Sequence, residues 1–111
     1  MVVEYTQHLN KIFHERARLG IMSILIASSE EVSFTYLTKA LNMTRGNLSV
    51  HMRVLEENGY VISKKEFINK KPQTSFRVTD KGRKAFDEYI KLLEQIVQGL
   101  GNKKPRKSSG N

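Results

Sequence analysis

The sequence has no cysteine and no tryptophan, and only two of its 111 residues are proline. The absence of cysteine excludes disulfides and thiolate metal sites, and it favours an intracellular, cytoplasmic setting. No uninterrupted apolar run approaches the roughly 18 residues that a membrane-spanning helix needs. The amino terminus carries an early acid and no basic-then-apolar order, so we do not expect a signal peptide.

Patterns typical of catalysis or of cofactor binding are also missing. The sequence contains no glycine-rich phosphate loop, no suggestive order of serine, histidine and acid, and no paired ligand spacing. Its three histidines stand far apart, at positions 8, 14 and 51. We therefore expect a protein that is not an enzyme and that holds no metal and no cofactor.

What the sequence does contain is enough apolar material for one domain, together with a strong positive charge. Hydrophobic residues make up 39% of the chain, which suits a single modest core. The net charge of +8 implies an anionic partner but does not choose nucleic acid over a membrane surface. We assign residues 1–101 to one domain and residues 102–111, with four bases and no apolar side chain, to a disordered tail.

The chain is organised around residues 44–59, which predict a helix with both ends marked. Thr44 can cap the first turn, and Gly59 suits the left-handed conformation that follows a helix. Leu48, Met52 and Leu55 form one apolar stripe at helical spacing. The opposite face is polar and cationic, and it carries Arg45, Gly46, Asn47, Val50, Arg53 and Val54.

The charges of this helix oppose its own dipole. Arg45 lies in the first turn and Glu57 in the last, whereas a helix prefers the reverse order by roughly 0.3–1 kcal/mol for each charge. Such a helix gains stability if its start meets an anion. The alternative is that Arg45 is simply solvated and Arg53 pairs with Glu57 one turn on.

Two helices are expected before this one. Residues 9–28 have helical spacing, although residues 9–13 can also form a separate short helix. Gly20 indicates close packing by a neighbour. Residues 32–34 are compatible with a very short strand, and Thr35 is expected to cap a second helix.

The second helix ends in a tight turn at Asn42 and Met43, which leads directly into Thr44. A short helix, a tight turn and a longer helix in succession form the helix-turn-helix arrangement. Its second helix lies in the major groove of DNA.

After the third helix, the spacing of apolar residues changes from that of a helix to that of strands. Residues 60–68 and 74–79 predict two strands, joined by a turn at residues 69–73. One interpretation is a wing that touches phosphates or the minor groove. The other is a solvated edge hairpin whose lysines only discourage sheet-to-sheet association. The basic residues of the hairpin are Lys64, Lys65, Lys70, Lys71 and Arg77, against the single acid Glu66.

The last helix is expected to begin at a Thr79 cap, with Asp80 in its first turn, and to end at Gly99 and Gly101. Its apolar stripe is about four turns long, which favours pairing with a second copy. The alternative is that it folds over its own core. On this helix the predicted interface residues are Tyr89, Ile90, Leu93, Ile96, Val97 and Leu100.

Three stretches together resemble the winged helix-turn-helix transcriptional regulators, in the broad group of MarR-like and ArsR-like proteins. They are ARLGIMSIL, FTYLTKALNMTRGNLSVHMRVLEENGYV and FRVTDKGRKAF. The chain looks most like the small single-domain members common in archaea and bacteria. The resemblance implies a mainly α fold with a small β-hairpin, a winged helix-turn-helix with a long C-terminal helix.

The function that the resemblance implies is sequence-specific binding of double-stranded DNA by a homodimer, often joined through its first and last helices. The resemblance thereby adds Leu9, Ile12 and Phe13 to the predicted dimer interface. In such regulators the wing lysines lie against the backbone. The positions that face DNA correspond to Arg45, Asn47, Ser49, Val50, His51 and Arg53. The alternatives are a winged-helix module that binds protein in a transcription assembly, and a protein that coats DNA nonspecifically.

Particular contacts can be expected from the residue types. Thr44, Ser49 and the first-turn amides can hold a phosphate, while Arg45 and Arg53 suit guanine edges or phosphates and Asn47 an adenine edge. His51 is either a phosphate or base contact or a half-buried helix residue. ArsR-like metal sensors use cysteine or paired histidine and carboxylate ligands, so their absence here argues against a regulatory metal. Nothing in the sequence identifies an effector.

Overall fold

The structure is a computed structural model that describes residues 6–103, with side chains placed for residues 6–99. The elements follow in the order α1 (Arg16–Ala27), β1 (Val32–Ser33), α2 (Phe34–Leu41), α3 (Arg45–Glu57), β2 (Val61–Ile68), β3 (Lys71–Val78) and α4 (Asp80–Lys103). The strands form one antiparallel sheet in the order β1-β3-β2. This arrangement confirms the expected fold class.

The segment before α1 does not continue that helix. The side-chain oxygen of Asn10 accepts hydrogen bonds from the backbone N–H groups of Ile12 (2.8 Å) and Phe13 (3.3 Å), which folds residues 10–13 into a turn. Glu15 then caps α1 by accepting from the N–H of Arg18 (2.9 Å). The question that the sequence left open is settled in favour of a separate segment.

The helix-turn-helix forms as predicted, with one correction at its start. Ser33, not Thr35, caps α2, because its hydroxyl accepts from the N–H of Tyr36 (3.0 Å). Asn42 ends α2 in the left-handed conformation, and the Thr44 hydroxyl caps α3 by accepting from Asn47 N–H (3.1 Å). These caps satisfy N–H groups that would otherwise lack partners at the two helix starts.

The close packing predicted at Gly20 is present where α1 meets α2. A Cβ atom at Gly20 would lie 2.9 Å from the Cδ2 atom of Leu41. Van der Waals contacts between carbon atoms are optimal at about 3.5–4.0 Å, so a side chain at this position would require Leu41 to move.

The hairpin is longer and its turn tighter than predicted. β2 pairs with β3 from Val61–Val78 out to Ile68–Lys71, so the loop is only Asn69 and Lys70. Both have positive φ, 54° and 66°, as in a type I′ turn. The prediction of a turn over residues 69–73 is wrong because residues 71–73 belong to β3.

Proline is tolerated at position 72 because of its place in the ladder. Ile68 and Lys71 close the two-residue loop, so the next pair, Phe67 and Pro72, exchanges no backbone hydrogen bond. The Pro72 nitrogen therefore points to the outer edge of β3, where β1 reaches only as far as Ser75 and Phe76.

The start of α4 is held against the end of α3 by a compact junction. Thr79 caps α4 as predicted, accepting from Gly82 N–H (2.9 Å) while its hydroxyl donates to the Gly59 carbonyl (2.6 Å). Gly59 has φ +76°, the left-handed conformation expected there. A Cβ at Gly82 would overlap the carbonyl oxygen of Tyr60, so the sheet and α4 meet through backbone contact.

An aromatic cluster joins the amino-terminal segment to α4. The Phe13 ring centroid lies 4.6 Å from that of Tyr60, 5.2 Å from Phe86 and 5.9 Å from Tyr89. His14 Nδ1 also lies 2.9 Å from the Tyr89 hydroxyl oxygen, and burial raises the pKa of that hydroxyl. These contacts fix α4 to the body of the domain.

The predicted end of the last helix is wrong. α4 continues through Gly99 and Gly101 to Lys103, so Asn102 and Lys103 belong to the helix and not to a tail. Glycine weakens a helix interior by about 1 kcal/mol relative to alanine, but it does not have to end one. The rest of the predicted tail, residues 104–111, lies outside the described residues.

Candidate nucleic-acid interface

Helix α3 is anchored by one face and presents the other. Leu48, Met52 and Leu55 are buried, at 0%, 2% and 0% exposure. Their spacing places them on one side of the helix, so the opposite side must face outward. The predicted contact residues that are exposed there are Arg45, Asn47, Ser49, Val50 and Arg53, and the cap Thr44 is exposed as well.

Arg45 is held in position and is not simply solvated. Its guanidinium carbon lies 4.5 Å above the ring centroid of Phe34, a cation–π contact. The Phe34 ring lies in turn 6.2 Å from that of Phe76 in β3. Arg45 therefore connects the start of α3 to the start of α2 and to the sheet. Sequence reasoning missed Phe34, since nothing in a single sequence pairs it with a residue eleven positions away.

His51 points back toward α1. Its Nδ1 accepts a hydrogen bond from Arg18 Nη1 at 3.0 Å, which requires this nitrogen to carry no proton. Nδ1 also lies 3.7 Å from the Glu15 carboxylate, and the His51 side chain is only 21% exposed. Of the two interpretations that the sequence allowed, this geometry matches the half-buried helix residue.

Arg18 and Glu15 complete a polar cluster around His51. Arg18 Nε donates to the Ile12 carbonyl at 2.6 Å, so the guanidinium connects the amino-terminal segment to α3. Partial burial of Glu15 raises its pKa, but the hydrogen bond from Arg18 N–H and the positive charge around it outweigh this effect. The pKa of Glu15 is therefore lowered, and the carboxylate is charged at neutral pH.

One face of the hairpin looks toward α3. Ser63, Lys65 and Thr74 line a cleft of about 350 Å³ together with Ser49 and Arg53 of α3. Lys65 is therefore on the same side of the sheet as the exposed face of α3. A second cleft, of about 590 Å³, lies between Arg45 and the tip of the hairpin, where Lys71 contributes to its wall.

Lys64 and Arg77 are separated from this face. Side chains alternate along a strand, so Lys64 points away from the side occupied by Ser63 and Lys65. Lys64 Nζ lies 3.7 Å from a Glu31 carboxylate oxygen and 3.9 Å from one of Glu66. Arg77 lies on that outer face too, at a cleft lined by Glu30, Glu31 and Arg83. The structure therefore does not group these two predicted contacts with the others.

The predicted dimer residues also divide into two groups. Leu9, Phe13, Tyr89 and Ile96 are buried within a single chain, at 9%, 0%, 3% and 6% exposure. These four side chains belong to the hydrophobic core of a single chain, so little of their surface is left for a second copy. Ile12, Ile90 and Leu93 are half-buried, and Val97 is 60% exposed. The Leu100 side chain lies outside the described residues.

Two further kinds of site are absent from the described part of the chain. Over residues 6–103, no cluster of three or more histidine, cysteine or acidic side chains is arranged to hold a metal ion. In the same stretch, no helix combines the length and apolar character needed to cross a membrane.

The helix-turn-helix, the hairpin behind it and the anchored cationic helix together define a winged helix-turn-helix domain. A family model described as a winged helix DNA-binding domain matches residues 17–97. The chain belongs to this family, which confirms the resemblance to winged helix-turn-helix regulators that the sequence indicated. The family is one of winged helix DNA-binding domains.

Three individual proteins are also similar to this chain. An uncharacterized protein of Methanocaldococcus jannaschii is 39% identical over 90 residues, which are 81% of this chain and 97% of that protein. A transcriptional regulator homologue from Pyrococcus horikoshii OT3 is 33% identical, with a TM-score of 0.77 over 89% of this chain and 95% of that one. A MarR transcriptional regulator from Methanosarcina mazei Go1 has a TM-score of 0.66 over 96% of this chain and 78% of its own, at 15% identity, and shows the fold alone.

Proposed function

We propose that this chain is a transcriptional regulator that binds double-stranded DNA sequence-specifically, with α3 in the major groove. The hairpin forms a wing that lies on the sugar–phosphate backbone and in the adjacent minor groove. The observation that supports this function is the composition of the exposed face of α3. It presents two arginines, an asparagine and a serine outward, rigidly backed by a buried apolar stripe and flanked by a basic wing.

Each side chain on this surface has a distinct role in the proposal. In this proposal Arg45 and Arg53 bond guanine edges, and Asn47 bonds an adenine edge. Ser49 and the first-turn amides hold a phosphate at the positive end of the helix dipole. Lys65, Lys70 and Lys71 neutralise backbone phosphates; they position the protein and read no sequence. The Thr44 hydroxyl already caps α3, so it contributes through the cap.

The proposed active form is a homodimer in which α4 supplies the contact. Ile90, Leu93 and Val97 follow one another at spacings of three and four residues, so they form a stripe along one side of α4. A twofold axis would then place two copies of α3 about 34–36 Å apart, facing a pseudo-palindromic site.

The test is selection of preferred sites from random duplexes, followed by binding of variants to the selected site. Asn47→Ala and Arg53→Ala should each reduce discrimination at one base position by roughly 1–3 kcal/mol. Lys91→Ala removes one positive charge from α4, where Lys91 pairs with Asp87 at 3.1 Å, and serves as the charge control. It should leave base preference unchanged.

Other outcomes would identify the alternatives. Binding without any enriched sequence would indicate a protein that coats DNA. Absence of duplex binding, or affinity that does not fall with salt, would favour a protein-binding module, since each phosphate neutralised contributes about −0.9 to the log–log slope.

A further inference from the structure

Phe67 is the most exposed large apolar side chain of the described residues, with 77% of its surface accessible. It lies at the end of β2, two residues from the tip of the wing, and its cross-strand partner is Pro72. A single exposed apolar side chain is common on protein surfaces, so the surroundings of the ring must show whether it binds a partner. The residues around the ring indicate which kind of partner it binds.

The direction of the Phe67 side chain follows from the regular hairpin. Side chains at alternate positions share one face of a strand, so Phe67 lies on the same face as Ser63 and Lys65. Ser63 and Lys65 line the cleft that faces α3. Phe67 therefore extends the α3-facing surface outward, beyond the reach of α3 itself.

The position of Phe67 is also fixed before any partner binds. Pairing of β2 with β3 continues without a break to Ile68 and Lys71, and the two-residue turn closes the hairpin directly beyond it. The ring therefore stands on a paired strand and not on an open loop, so placing it in a partner requires little ordering of the backbone.

The charges around Phe67 select a polyanion. Lys65 precedes it on the same face, and Lys70 and Lys71 follow at the tip. The acid beside it, Glu66, is on the opposite face, 3.9 Å from the Lys64 ammonium. A twofold contact between the wings of two copies would bring these lysines together, and the like charges would repel.

We propose that Phe67 is a minor-groove wedge, an inference that rests on the proposed function. With α3 in the major groove, the wing reaches the adjacent minor groove and the Phe67 ring enters it between two base pairs. Apolar wedges of this kind partly unstack a base step and bend the duplex by about 20–90°. Pyrimidine–purine steps such as TA and CA unstack most readily, so the wedge also adds sequence preference where no hydrogen bond reads a base.

The experiment uses the full chain and the site selected from random duplexes. The duplex carries 2-aminopurine in place of adenine at one flanking step at a time, and donor and acceptor dyes at its ends. The wild-type protein should raise 2-aminopurine fluorescence at one step in each half-site and shorten the distance between the dyes. Phe67→Ser should abolish both signals and weaken binding about 10-fold, since stacking of a base on an aromatic ring contributes roughly 5- to 150-fold.

Two variants control for other causes. Phe67→Leu keeps an apolar wedge and should retain most of the bend. Ile62→Ser removes an apolar side chain that is 46% exposed on the opposite face of the same strand, and it should leave both signals unchanged.

The outcomes separate this inference from the proposed function. If Phe67→Ser binds the selected site with the wild-type bend, the wedge is overturned and the regulator stands. A change in sedimentation with an unchanged bend overturns it in favour of a protein contact. If the wild-type chain binds no duplex, both fail together.

Discussion

At the scale of single residues, Gly82 is the position at which one added methyl group should do most damage. Gly82→Ala would force a Cβ into the Tyr60 carbonyl oxygen, which is backbone and cannot rotate away. That oxygen also accepts the Thr79 N–H at 3.0 Å, so a shift would weaken the junction that starts α4. We expect unfolding free energy to fall by about 1–3 kcal/mol or more, measured by urea denaturation.

The matched control for this prediction is Gly46→Ala. Gly46 lies in α3, and a Cβ there would meet no atom within 4 Å. Alanine is the better helix former, so this variant should be more stable than wild type by about 0.5–1 kcal/mol. Equal effects of the two substitutions would show that α4 does not approach the Tyr60 backbone as closely as described.

Particular residues also show which features of the structure could be predicted from the sequence alone. The caps at Thr44 and Thr79 were predictable because each precedes a helical apolar pattern. Ser33 was missed because Ser33 and Thr35 are both good caps, and only the backbone decides between them. The role of His51 was undecidable, since its partner Arg18 lies 33 positions away in sequence.

At the scale of elements, the turn of the wing contains a residue, Lys70, that lowers stability but serves the proposed function. Lys70 has φ 66°, a conformation that is unfavourable for residues with a side chain by roughly 1–2 kcal/mol and that glycine adopts freely. A lysine therefore occupies a position where glycine would make the better turn. On the proposed function, its charge serves a phosphate contact.

Lys70→Gly should therefore separate the two properties. We expect the variant to be more stable to urea by about 0.5–1 kcal/mol and yet to bind duplex DNA more weakly, with a salt slope lower by about 0.9. Lys71→Gly is the control, since it removes the same charge from a β3 position without positive φ and should lose stability as well. Unchanged affinity in Lys70→Gly would remove this lysine from the interface.

The elements also explain which parts of the fold were predictable. Strong periodicity identified α3 and the hairpin, and the sequence located the turn between α2 and α3. The predicted boundaries are wrong at residues 71–73, which belong to β3, and at Gly99 and Gly101, which lie inside α4. Pro72 is tolerated in β3 because its nitrogen faces an unpaired edge of the sheet. That depends on the strand register, which the composition of the segment does not predict.

At the scale of the whole molecule, the sequence overestimated the apolar surface left for a partner. Phe13 and Tyr89 were both predicted to contact a second copy. In the structure they pack against each other, although 76 positions separate them in sequence, and their ring centroids are 5.9 Å apart. Periodicity shows that a face is apolar, but it does not show what covers it. Among the predicted interface residues of α4 whose side chains the structure describes, Ile90, Leu93 and Val97 keep exposed surface for a second copy.

This reduced stripe gives a sharp test of the proposed dimer. Val97→Asp places a charge in the stripe, while its 60% exposure means that one chain should fold unchanged. We expect sedimentation to shift from dimer to monomer and affinity for a two-half-site duplex to fall toward that for a single half-site.

The control is Gln95→Asp, which introduces the same charge two residues earlier on α4. Two residues correspond to about 200° around a helix, so this exposed side chain is nearly opposite Val97. The control variant should therefore remain dimeric and keep full affinity for both half-sites. If Val97→Asp also stays dimeric, α4 does not form the contact, and the spacing between the two copies of α3 must be set by another surface.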